Sequence, residues 1–92
     1  MTLVRRTGDW LTAKVADELV MMSVEKGKFV GLSEVGAYIW ELIETPQPID
    51  GLCARLEKEF DVAPAVCRAE VEYFLNELVK QGAAAFDPPA SA

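Results

Sequence analysis

The chain has 92 residues, 51% of them apolar and eight of them aromatic (two Trp, two Tyr, four Phe), which is enough for one core but leaves little room for a deep catalytic cleft. A net charge of −6 removes the phosphate-neutralising term on which nucleic-acid affinity depends, and disfavours an anionic membrane surface by the same sign. No apolar run approaches the ~18 residues of a membrane span and no signal-peptide core opens the sequence, so a cytoplasmic protein is expected.

Taken in chain order, the first half reads as strands. Trp10–Val15 places Leu11, Ala13 and Val15 at alternate positions, and Ala16-Asp17 supplies a turn. Glu18–Val24 follows, with Val20, Met22 and Val24 sharing one face at period two. Glu25-Lys26-Gly27-Lys28 is a Gly-containing hairpin turn, and Phe29–Leu32 resumes as a third short strand. Three strands on tight turns make an antiparallel meander.

At Ser33 the period changes from two to 3.6. Ser33 is a good N-cap and Glu34 suits the positive end of the helix dipole. Val35, Tyr38, Ile39, Leu42 and Ile43 form one apolar face, and Thr45-Pro46-Gln47-Pro48 ends the helix. Gly36, in the interior of this helix, signals close approach of another element, and Trp40 is read as filling the helix–sheet junction. A second helix is expected over residues 50–60. A third runs over 64–81, opened by Pro64 and stopped by Gly82. Val66, Cys67, Val71, Phe74, Leu75, Leu78 and Val79 give this last helix a stripe wider than one-sided packing requires. The expected organisation is one α+β domain over 1–86, of order βββααα, with a disordered tail over 87–92.

Chemistry is sparse. There is no histidine, hence no common general base or metal ligand, and no Gly-rich phosphate loop. Cys53 and Cys67 lie on apolar helical stripes and are read as two buried thiols. Neither an enzyme nor a bound cofactor or metal is expected. A three-stranded meander does leave edges with unpaired N–H and C=O groups. Beside the third strand, the surplus apolar surface of the third helix would form a groove for an extended peptide. From these residues alone the alternative stays open: the N-terminal segment or Ala83–Phe86 could cover that edge.

The run Asp17 to Leu42 resembles the PqqD family. It carries a strand, a turn ending in Gly and a basic residue, an aromatic strand, and then Leu32-Ser33-Glu34-Val35-Gly36-Ala37-Tyr38-Ile39-Trp40-Glu41-Leu42, which fits Leu-[Asn/Ser]-x-x-Gly-x-x-Ile-Trp-x-Leu. Phe60-Asp61-Val62-Ala63-Pro64 and Cys67 to Leu75 are similar to that family's third helix. The resemblance implies a winged-helix-like domain that binds the leader segment of a ribosomally made precursor peptide as an added strand. It also implies a partner enzyme, either a radical-SAM protein or a leader-cleaving cysteine protease acting with a cyclase. By position, the ligand edge is Lys28, Phe29, Val30, Gly31 and Leu32, and the helical wall is Cys67, Arg68, Val71, Glu72 and Leu75. Two residues depart from the pattern. Ala63 stands where an Asp or Ser cap is common, and Val30 stands where a second aromatic is common. Two competing readings remain, a winged-helix DNA-binding regulator and a subunit that covers its edge with a second copy. The acidic balance argues against the first, since the third helix offers only Arg68 and Lys80.

Overall fold

The computed structural model describes residues 2–16 and 18–87. Among these residues the chain forms β1 (Leu3–Arg6), β2 (Trp10–Val15), β3 (Glu18–Ser23), β4 (Lys28–Leu32), α1 (Glu34–Leu42), β5 (Gln47–Pro48), α2 (Ile49–Phe60), α3 (Pro64–Lys80) and β6 (Ala84–Asp87). The expected meander is present as an antiparallel sheet in the order β2-β3-β4. Its register pairs Thr12 with Met21 and Met21 with Val30, and then Lys14 with Leu19 and Leu19 with Leu32. Alternation therefore turns Met21, Val30 and Leu32 to the core, where Met21 and Leu32 are buried. Gly27, at φ +63, closes the β3–β4 turn. The predicted Ala16-Asp17 turn is described only at Ala16, because Asp17 lies outside the described residues.

A second sheet was not foreseen. Its order is β5-β1-β6, with Leu3 opposite Pro48 and Asp87, and Val4 opposite Gln47 and Phe86. The tail was expected to begin at Asp87, but Asp87 closes β6; the rest of the predicted tail, 88–92, lies outside the described residues. These strands are two to four residues long and partly built from alanine, too short for a period to show. They form because pairing buries Val4 completely, together with Ala83 and Ala84, against the helices.

The helices lie close to their predicted limits. Ser33 caps α1 as expected, its Oγ accepting from the Gly36 N–H at 3.1 Å. Trp40 is buried beneath the Arg6 guanidinium, which stands 4.2 Å from the ring centroid and donates to the Trp40 carbonyl; it fills the junction between α1 and the second sheet. Ile39, Ile43, Leu52, Leu56, Val71 and Leu75 complete the core. Each such side chain contributes about 1.5–3 kcal/mol by burial.

The C-terminal end of α3 is held from several directions. Ala83 N–H donates to the Leu78 carbonyl at 2.8 Å and Gly82 N–H to Val79 at 3.0 Å, with Gly82 at φ +78, a Schellman arrangement. Thr7 Oγ1 and Trp10 Nε1 donate to the Gly82 carbonyl, and Lys26 Nζ donates to that of Gln81. These bonds fix the helix against both sheets. The other end is weaker, because Ala63 offers no capping side chain. Replacing it with Asp should stabilise the domain by about 1 kcal/mol. Thermal melts should then rise by roughly 4–8 °C.

Candidate functional site

β4 lies at one edge of its sheet and pairs with β3 alone; among the described residues no strand pairs with its outer side. The two segments that could have covered it, residues 3–6 and 84–87, pair with each other instead. Along β4, Lys28, Phe29 and Gly31 are exposed, Val30 is half-buried and Leu32 is buried. The predicted edge residues are thus contiguous, and their backbone forms one accessible margin.

Two contacts locate the nearby helix. Lys28 Nζ donates to Gln81 Oε1 at 3.2 Å, which places the end of α3 beside the start of β4. At the other end, Gly36 faces Phe74 so closely that an added Cβ would stand 3.0 Å from the ring. This is the close approach that a glycine in α1 foretold. Between these contacts α3 runs antiparallel to the β4–α1 segment. Beyond the Gly36–Phe74 contact, between the first half of α1 and the middle of α3, lies an open cavity of about 460 Å³, lined by Val35, Ala69, Glu70, Tyr73 and Phe74 among others and by no β4 residue. Tyr73 is 70% exposed.

The predicted helical wall is not assembled beside β4. Cys67, Val71 and Leu75 are buried in the core at 2%, 1% and 0% exposure. Arg68 and Glu72 project from the opposite flank. Arg68 Nη1 pairs with Asp50 Oδ1 at 2.5 Å, and its Nε pairs with Glu72 Oε2 at 3.3 Å. Both line a separate cavity of about 530 Å³ toward Pro48 and Phe86. The physical reason is helical phase, since each residue turns the face by about 100°. Positions 67, 71, 75 and 78 form the core seam; 70, 74, 77 and 81 lie on the flank toward β4, whereas 68, 72 and 76 lie on the other. Glu70, Tyr73 and Phe74, which line the cavity beside α1, are not among the wall residues expected from the sequence; only Phe74 belongs to the third helix's wide apolar stripe.

Cys53 and Cys67 are free buried thiols, and the Cys67 thiol lies 3.7 Å from the Cys53 carbonyl. Burial pushes both thiols above their ordinary pKa, so neither is activated as a nucleophile. No helix among the described residues is long and apolar enough to cross a membrane.

A small α+β domain whose wing-like sheet ends in an unpaired strand beside a helix is the class that this geometry defines. Over residues 18–83 the sequence matches the family described as coenzyme PQQ synthesis protein D (PqqD), and the chain belongs to that family. Two solved structures share its fold. One is TbiB1 in complex with the TbiA(beta) leader peptide, at 24% identity and a TM-score of 0.75, with 86% of this chain and 93% of that one covered. The other is a lasso peptide synthetase B1 complexed with the leader peptide, at 16% identity and a TM-score of 0.78, with 88% and 95% covered. No curated protein matches the sequence.

Proposed function

We propose that the chain is a non-enzymatic adaptor that takes the leader segment of a ribosomally made precursor peptide as an added strand on β4. The observation that carries this is the unpaired outer margin of Lys28–Leu32, with the end of α3 held beside it by the Lys28–Gln81 bond. An extended peptide there would form main-chain bonds to β4, and where it runs on past Leu32 its side chains would reach the cavity against Tyr73 and Phe74. Main-chain pairing gives affinity with little sequence demand, and the cavity selects an apolar or aromatic side chain. The bound leader would tether the rest of the precursor for a tailoring enzyme, either a radical-SAM protein or a leader-cleaving cysteine protease with its cyclase. The family and the leader peptides in the two similar structures support this reading.

Titration of a candidate leader peptide into isotope-labelled protein tests it. Amide shifts should concentrate in residues 28–32 and at Glu70, Tyr73, Phe74 and Glu77. Shifts confined to Arg68, Glu72, Asn76 and Phe86 would move the ligand to the other side of α3 and defeat the assignment.

A further inference from the structure

The face of the β2-β3-β4 sheet that points away from the core is apolar almost throughout. The register arranges it in three rows across the strands: Leu11, Met22 and Phe29; then Ala13, Val20 and Gly31; then Val15 and Glu18. Leu11, Val15 and Phe29 are 58%, 60% and 74% exposed, and Val24 beside them in the β3–β4 turn is 79% exposed. An added Cβ on Gly31 would meet nothing within 4 Å, so the middle row is open above the strand. Antiparallel sheets usually present polar residues on the face away from the core. Here the only formal charge in the three rows is Glu18, at one end.

The relief of this face is particular. A ridge of large side chains (Leu11, Met22, Phe29) lies next to a trough of small ones (Ala13, Val20, Gly31). A twofold axis parallel to the rows and midway between ridge and trough superposes each copy's ridge on the other's trough. Phe29 of one copy then sits over Gly31 of the other, and Leu11 over Ala13. Sheets stack face to face at about 10 Å, the distance at which such rows interdigitate. A single surface that supplies both the knob and the hole is what an isologous dimer requires.

We propose that this outer sheet face is the contact between two copies of the chain, stacked sheet on sheet with ridge in trough. The four exposed apolar residues, at side-chain areas of roughly 150–200 Å² each, offer on the order of 500 Å² per copy. The half-buried Val20, Met22 and Ala13 add to this. Stable interfaces bury about 800 Å² per partner, so the contact is small and the dimer is a weak one. Each copy carries a charge of −6, and salt that screens this repulsion should tighten the dimer. Because the contact uses the face, both β4 edges remain open. The dimer would present two strand-accepting margins, and it does not depend on the peptide reading.

Sedimentation velocity on the purified chain without ligand, from about 10 µM to 1 mM at low and high salt, reads the association. The mass should rise from 10.1 kDa toward twice that value, and at lower concentration when salt is added. Leu11→Lys on the ridge and Ala13→Lys in the trough should each weaken the dimer by about tenfold or more, with melting curves confirming that both variants fold. Neither residue lies on β4, so peptide binding can be measured in the same samples. A mass of 10.1 kDa at every concentration overturns the proposal and leaves the face to a different protein. Association that survives both substitutions overturns it as well, by placing the contact elsewhere.

Discussion

Proline in β4 should abolish peptide binding without unfolding the chain, provided that it replaces a residue whose N–H points outward. Along a strand at a sheet edge, successive N–H groups alternate between the neighbouring strand and the open side. One of Val30→Pro and Gly31→Pro therefore deletes a donor needed by β3, and the other deletes a donor available only to an incoming strand. The first should lose stability, while the second should keep most of its melting temperature. In the folded variant the lost bond and the ring's clash with an added strand should weaken leader binding by about 100-fold or more. Calorimetric titration of wild type and both variants, with melting curves on the same samples, checks this. Unchanged affinity in both folded variants would rule out strand addition on β4.

The second expectation separates the core seam of α3 from its flank. Leu75 is fully buried, and Leu75→Ala should destabilise the domain by about 2–5 kcal/mol through lost transfer energy and the cavity left behind. That is a large share of the 5–15 kcal/mol typical of a small domain, so the melting temperature should fall by more than about 10 °C. Tyr73 lies two residues earlier on the same helix and is mostly exposed. Tyr73→Ala should change stability by less than about 0.5 kcal/mol yet weaken leader binding by about tenfold. If Tyr73→Ala binds normally while Arg68→Ala does not, the ligand lies against the other flank.

These two residues also show how far the sequence could be read. The meander and the helices were legible because local period, caps and turn residues specify them: Ser33, Gly27, Pro64 and Gly82 each stand where a boundary falls. The free sheet edge was legible because it is a single strand whose limits are set by a turn and a cap. The helical wall was not. The rotation of α3 about its axis is fixed by its packing on α2, and an error of one residue in phase moves a side chain by about 100°. Thus Arg68 and Glu72 were assigned to a flank that Glu70 and Phe74 occupy. Gly36 held the missing information, because its contact with Phe74 orients the helix, but only coordinates reveal which ring it meets. The second sheet was hidden for a different reason: its strands are short, and their pairing joins residues far apart in sequence, Leu3 with Pro48 and with Asp87.

That last pairing has a topological consequence. Leu3 and Asp87 sit opposite one another on neighbouring strands, a separation of about 5 Å. The backbone from Leu3 to Asp87 is therefore a ring lacking one short link, and a few residues could join these two positions without disturbing any strand or helix. Both positions lie in the second sheet, which does not contain β4. New termini could be opened in the α1–β5 connection if Leu3 and Asp87 were linked, with β4 left accessible. Closing the ring would also remove conformational freedom from the unfolded chain, so a cyclised form gains stability with no new contact in the folded state.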